Sequence, residues 1–230
     1  MNGFWNTGSG ILANGIRYGA AAGLVNVCFA AGFFLTVLSL PAVAAPVTLL
    51  ALGDSLTAGY GLAREESFAT RLETVLRSKG YDVRVINAGV SGDTSAGGRS
   101  RLEWALADKP RAAIVELGAN DGLRGLDPAV TFANLDAIVG RLKMAGVAVL
   151  LTGMKALPNL GVEFGVEFED VYPRVAAKHG VPLYPFFLDG VATDPDLNLP
   201  DRLHPNARGI EVIVKRILPH VTRLIDGLAN

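Results

Sequence analysis

Serine, histidine and aspartate recur in this sequence at places where, together, they could attack a carbonyl carbon. Ser55 closes the string Gly53-Asp54-Ser55, directly after the apolar run that begins at Val47. A serine hydroxyl is a poor nucleophile until a base takes its proton, so a reactive Ser55 requires a histidine and a group to hold that histidine. His204 lies in Asp201-Arg202-Leu203-His204-Pro205-Asn206. There Asp201 can fold back onto one ring nitrogen and leave the other for Ser55. The plainer alternative makes Ser55 a turn residue or helix cap, Asp201 a turn cap and His204 the decoration of a helix start. The other two histidines, His179 and His220, fall at the end of one helical pattern and inside another. Solvent exposure or helix-dipole complementarity is the ordinary role of such positions.

Acyl transfer also needs donors aimed at the developing oxyanion, each worth about 2.7 to 4 kcal/mol in a dry site. Two loops offer them. Gly92, in Val90-Ser91-Gly92-Asp93-Thr94, can present an unobstructed backbone N–H, and Asn120, in Gly118-Ala119-Asn120-Asp121-Gly122, a side-chain amide beside the Ser55 N–H. Read blandly, Gly92 is a turn residue and Asn120 an Asx-turn. Asp54 and Asp121 adjoin these groups and are expected to fix their loops by accepting hydrogen bonds. Arg124 and Arg202 are read as solvated charge.

The elements that must position these residues follow from patterning. From Pro46 onward, short β-branched and leucine-rich runs alternate with longer amphipathic ones, as in an α/β protein whose parallel strands are buried on both faces. Strands are predicted near Val47–Gly53, Asp82–Asn87, Ala112–Leu117, Val147–Gly153 and Pro182–Tyr184. Helices are predicted near Glu65–Lys79, Gly98–Ala107, Pro128–Ala145, Glu167–His179 and Asn206–Leu228. Gly80, Gly146 and Gly180 each stand where a left-handed helix C-cap is expected, and Asp127-Pro128 has the order of a helix start. In such sheets the reactive groups gather at the carboxyl ends of the strands, which is where Ser55, Gly92 and Asn120 fall.

Composition narrows the partners. Lys and Arg number 21 against 22 Asp and Glu, with no basic run, so nucleic acid has no electrostatic footprint here. One cysteine, Cys28, and three histidines provide neither a disulfide framework nor a thiolate metal cluster, and neither cofactor nor metal is expected. Residues 1–45 carry a single charged side chain, Arg17, and an apolar stretch from about Ala20 to Leu40 that ends in Pro41-Ala42-Val43-Ala44-Ala45. This is the pattern of a secretory signal cleaved after Ala44 or Ala45, or, uncleaved, of an N-terminal membrane anchor; membrane contact is expected only through it. Either way residues 46–230 form one domain outside the cytoplasm, in the periplasm or secreted.

The ordered set Gly-Asp-Ser-Leu, Ser-Gly-Asp-Thr, Gly-x-Asn-Asp and Asp-x-x-His-Pro resembles the SGNH (GDSL) hydrolase superfamily over essentially all of Pro46 to Leu228. The resemblance implies a flavodoxin-like three-layer α/β/α sandwich with a five-stranded parallel sheet of order 2-1-3-4-5. It implies Ser55 as nucleophile, Asp201 and His204 as its relay, and an oxyanion hole of Ser55, Gly92 and Asn120. The stretches Gly53–Tyr60, Asn87–Ser95 and Val115–Gly125 are similar to the branch of periplasmic arylesterases and multifunctional thioesterases, which acts on aryl esters, acyl-CoA thioesters and lysophospholipids. In that branch a mobile loop after the fourth strand covers the acyl site. Here Met154, Leu157, Pro158 and Leu160 occupy it, in a segment more like that of the arylesterases. The expected substrate is therefore a small ester, with a thioester or lysophospholipid as the alternative. A non-catalytic flavodoxin-like binding module is the rival from another class.

Overall fold

A computed structural model describes residues 46–228; the expected export segment and Cys28 lie outside them. Five strands, β1 (Val47–Gly53), β2 (Val83–Gly89), β3 (Ala112–Glu116), β4 (Ala148–Thr152) and β5 (Leu183–Tyr184), form one sheet of order β2-β1-β3-β4-β5. All four pairings are parallel. The central strands read as unbroken apolar runs because both of their faces are covered: Leu49, Leu50, Leu52, Ile114, Val115, Leu150 and Leu151 are all buried. On one side α2 (Phe68–Ser78) packs on the final helix α8 (Ala207–Asp226). Elsewhere α6 (Pro128–Met144) packs on α7 (Val162–His179) and on the short α3 (Ser95–Ser100). The result is the expected three-layer sandwich.

Register explains why the chemistry converges. Gly53 pairs with Gly89 on one side and with Glu116 on the other, so β1, β2 and β3 end in one row. Ser55, Gly92 and Asn120 follow that row by two, three and four residues and enter the same crevice from three neighbouring strands. The expected caps are present as well. Gly80, Gly146 and Gly180 have positive φ, and the Asp127 carboxylate accepts the Ala129 N–H at 2.8 Å with Pro128 opening α6.

Several boundaries differ from the predicted ones for local reasons. The helix predicted from Glu65 is a single 3-10 turn, Arg64–Glu66, followed by extended Ser67; α2 begins only at Phe68. The helix predicted over Gly98–Ala107 is two, α3 and α4 (Leu102–Leu106), broken at Arg101, whose guanidinium turns back toward the sheet. Helix α7 starts at Val162 rather than Glu167. Gly165 weakens the local helical signal, and the stacked rings of Phe164 and Phe168, 5.8 Å apart, compensate through packing. Two helices, α1 (Ser55–Ala58) and α5 (Ala119–Leu123), are too short for periodicity to register.

Candidate active site

Ser55 is the first residue of α1, not a member of an open loop. Asp54 caps that helix, its Oδ1 accepting the Leu56 N–H at 3.0 Å. The turn from β1 into α1 is tight: a Cβ on Gly53 would lie 2.1 Å from Thr57 Oγ1, so no larger residue fits at position 53, two residues before the serine. Ser55 itself is buried, and its hydroxyl meets His204 Nε2 at 2.9 Å across 149 residues of sequence.

The histidine is held from behind. Its Nδ1 lies 2.8 Å from Asp201 Oδ2, while Asp201 Oδ1 accepts the backbone N–H groups of Leu203 and His204 at 2.9 and 3.0 Å. A carboxylate only accepts, so Nδ1 carries the ring proton and Nε2 turns its lone pair to the serine hydroxyl. Burial works to raise the Asp201 carboxyl, but the Leu203 and His204 amides and the imidazole outweigh it and hold the group below the usual aspartate range. The loop is closed by Leu199 N–H donating to His204 O at 2.7 Å and Asn206 N–H donating to Leu197 O at 2.9 Å.

Gly92 has φ +86°, a backbone state costly for any side chain, although a Cβ there would meet nothing within 4 Å. The reason for glycine is therefore conformation and not space. Arg124, read from sequence as solvated charge, donates to Gly92 O at 2.9 Å and so braces this turn. Neither the Ser55 nor the Gly92 N–H has an acceptor among the described residues. The Asn120 amide donates to Asp93 O at 2.9 Å and to Asp54 Oδ2 at 3.2 Å, which links the loops after β1, β2 and β3. Asp121 has the loop-fixing part expected of it: it accepts from the Ser95 N–H at 2.8 Å, the Ser95 hydroxyl at 2.5 Å and Thr131 Oγ1 at 3.2 Å.

Ser55, Asn120 and His204 face a cavity of about 130 Å³ whose apolar walls include Leu123, Met154, Leu157, Leu188 and Leu203. Gly92 is not part of its walls and connects to it through Asp93 and Asn120. Of the four residues singled out after β4, Met154 and Leu157 line the cavity. Pro158 and Leu160 instead form a 3-10 turn, and Leu160 packs toward Gly125. Leu123, Leu188 and Leu203 come from three other segments and carry no local sequence signal.

Residues 51–212 match the GDSL-like lipase/acylhydrolase family. This chain belongs to the SGNH (GDSL) hydrolases. Its relatives include the thioesterase 1/protease 1/lysophospholipase L1 of Escherichia coli K12, 40% identical over 174 residues, covering 75% of this chain and 82% of the relative. The arylesterase of Vibrio mimicus is 39% identical over 178 residues, covering 75% and 89%. The crystal structure of the SGNH-hydrolase family esterase AlinE4 superposes with a TM-score of 0.66 at 49% identity, covering 77% of this chain and 96% of that one. The chain is thus an ester hydrolase by family, with the doubly wound fold of its relatives.

Behind Ser55 this hydrolase buries two acids that the sequence reading did not single out as a pair. Glu116, at the end of β3, is fully buried. Its Oε2 accepts from Thr57 Oγ1 at 2.8 Å and from the Asp54 N–H at 3.4 Å, while Oε1 has no partner among the described residues. Burial, and then the neighbouring Asp54 charge, push the Glu116 carboxyl well above the usual range, and burial raises Asp54 from 3.8 to about 6. A lone acid inside Ala112-Ala113-Ile114-Val115-Glu116-Leu117 was the available signal.

The sign of the consequence is fixed. Groups with raised values take up protons on folding, so their stabilisation is complete below the unfolded values near 4 and is lost as pH rises through the folded ones. Glu116→Gln, which mimics the neutral acid, is therefore expected to flatten the decline in stability above about pH 6. The gain over wild type is expected to grow as pH rises, read by urea unfolding at several pH values. An unchanged pH dependence would sink this assignment.

Arg101 is the second residue overlooked from sequence. One guanidinium bonds Asp93 Oδ2 at 2.6 Å, Ala88 O at 2.8 Å and Gly53 O at 2.8 Å, joining the strand that leads to Ser55 to the Gly92 turn. His179 proves to be largely enclosed: its Nε2 meets Asp136 Oδ1 at 2.7 Å, tying α7 to α6. His220 lies edge-on to Tyr184, with rings 5.1 Å apart. Neither reaches the crevice that holds Ser55.

Proposed function

We propose that this hydrolase cleaves aryl esters and short-to-medium acyl esters through a Ser55-His204-Asp201 triad and an acyl-enzyme. The observation that carries the proposal is the continuous chain of 2.8 and 2.9 Å contacts from Asp201 through His204 to Ser55, opening on an apolar cavity. In the first half-reaction His204 Nε2 takes the Ser55 proton as Oγ bonds to the ester carbon. The ring charge that forms is balanced by Asp201, and the oxyanion is held by the Ser55 and Gly92 N–H groups and by the Asn120 amide, which exchanges its 3.2 Å bond to Asp54 Oδ2 for the anion. Collapse expels the alkoxide or phenolate, which takes the proton back from His204. Water then repeats the sequence on the acyl-enzyme and frees the acid.

The cavity supports a small bound group: about 130 Å³ is close to the roughly 150 Å³ of an apolar pocket that accepts benzene. A phenyl ring or a short acyl chain fits that size. Thioesters use the same attack, and the name of the Escherichia coli relative favours testing them beside aryl esters. Residues 1–45 are proposed to export the enzyme to the periplasm, removed after Ala44 or Ala45 or retained as an anchor.

A fluorophosphonate that mimics the attacked carbonyl tests the proposal. One adduct on Ser55 is expected, with hydrolysis of 4-nitrophenyl esters falling steeply between short and long acyl chains. A protein that stays unlabelled and inert toward all esters would overturn it. Asn120→Ala is expected to lower kcat by about 10² to 10³ with KM changing far less, since the amide serves the anion more than the ground state. Steady-state kinetics on the same esters check it.

A further inference from the structure

The ring of Tyr60 lies over the His204 imidazole with centroids 4.4 Å apart and planes inclined by 34°. Packing within the core does not account for this placement, because Tyr60 is 52% exposed. The main chain sets it there. Gly59 ends α1 with φ +85°, and the Tyr60 N–H donates to Ser55 O at 3.1 Å, so the same short turn that presents the nucleophile presents the aromatic ring. The phenol oxygen has no hydrogen-bond partner among the described residues, so it is the ring that makes the described side-chain contact.

We propose that Tyr60 is a positioning residue for the reaction, which holds the imidazole plane toward Ser55 and stabilises the imidazolium that forms when Nε2 takes the serine proton. The inference rests on His204 acting as the base. An aromatic face within about 6 Å of a cation is attractive, and a neutral imidazole gains much less from it. The contact therefore strengthens as charge appears on the ring, which is the condition for lowering a barrier instead of merely binding a ground state. The other charged or titratable groups near this imidazole are Asp201 at Nδ1, the Asp54 carboxyl behind α1, and Lys155 on the cavity wall. The two carboxylates favour the protonated ring and Lys155 opposes it, and none of them changes when Tyr60 is replaced.

Three variants of the full chain separate this role from simple packing. Tyr60→Phe keeps the ring and is expected to stay within about twofold of wild type. Tyr60→Leu and Tyr60→Met keep apolar bulk without the aromatic face. Both are expected to lose about 3- to 30-fold in kcat at the plateau, with KM little changed. Both should also move the acid limb of the kcat/KM profile about half a pH unit lower, because the charged ring is less favoured. Thermal melts within a few degrees of wild type show that the variants fold. A Leu and Met loss with an unmoved acid limb would reduce Tyr60 to a spacer and overturn the proposal. So would a Phe variant as impaired as Leu. Failure of the underlying reading looks different: His204→Ala would then remain active and the wild-type profile would have no acid limb at all.

Discussion

Ser55→Ala is expected to lower kcat toward aryl esters by about 10⁵- to 10⁶-fold while leaving the protein folded. The two halves of that expectation have separate origins in the structure. The hydroxyl's described partner is His204 Nε2 at 2.9 Å, so its removal deletes the proposed nucleophile and nothing that holds α1 in place. The cap of that helix is Asp54, the tight turn depends on Gly53, and the Thr57 hydroxyl anchors to Glu116. Alanine is also a good helix former at the first helical position. The free energy of unfolding should therefore change by no more than about 1 kcal/mol. A residual rate above that of water is expected from the N–H donors that remain. Burst-phase kinetics and the loss of the fluorophosphonate adduct provide the measurements. A variant that keeps even a hundredth of wild-type turnover, with purity established by mass, would remove Ser55 from the mechanism.

The fold was legible in the sequence because its parallel strands are buried on both faces and leave continuous apolar runs, as at Val47–Gly53 and Ala112–Glu116. The order of strands came from family resemblance, since periodicity says nothing of which strand neighbours which. Local motifs brought Ser55, Asn120, Asp201 and His204 into view, and the register of Gly53 with Gly89 and Glu116 accounts for the meeting of the first two. What escaped notice depends on distant partners. Arg101 looks like any exposed helical arginine until its guanidinium is seen to reach Gly53 O, 48 residues away. Glu116 looks like the polar end of a strand until Thr57, 59 residues earlier, is found on its carboxylate. Tyr60 and Leu203 likewise come to the site only through what folds against them. The two short helices α1 and α5 were invisible for another reason: four or five residues hold too little of a helical period to be recognised.

Asp201→Asn is expected to cost about 10⁴-fold in kcat, although it changes one atom and no volume. The carboxylate accepts three hydrogen bonds: the Leu203 and His204 N–H groups on Oδ1, and the imidazole Nδ1–H on Oδ2. An amide cannot accept on both sides. If its oxygen stays on the two backbone N–H groups, its NH₂ faces Nδ1, which must then be the acceptor. The ring proton moves to Nε2 and points at Ser55 Oγ, and the lone pair that should remove the serine proton is gone. If the amide flips, its NH₂ opposes two backbone donors and the turn from Asp201 to His204 loses the contacts that shape it. Both outcomes disable the base, the first with the structure intact. Nitrogen chemical shifts of His204 distinguish them by reporting which ring nitrogen is protonated. An Asn variant within tenfold of wild type, with the proton still on Nδ1, would mean that the carboxylate is not what orients this histidine.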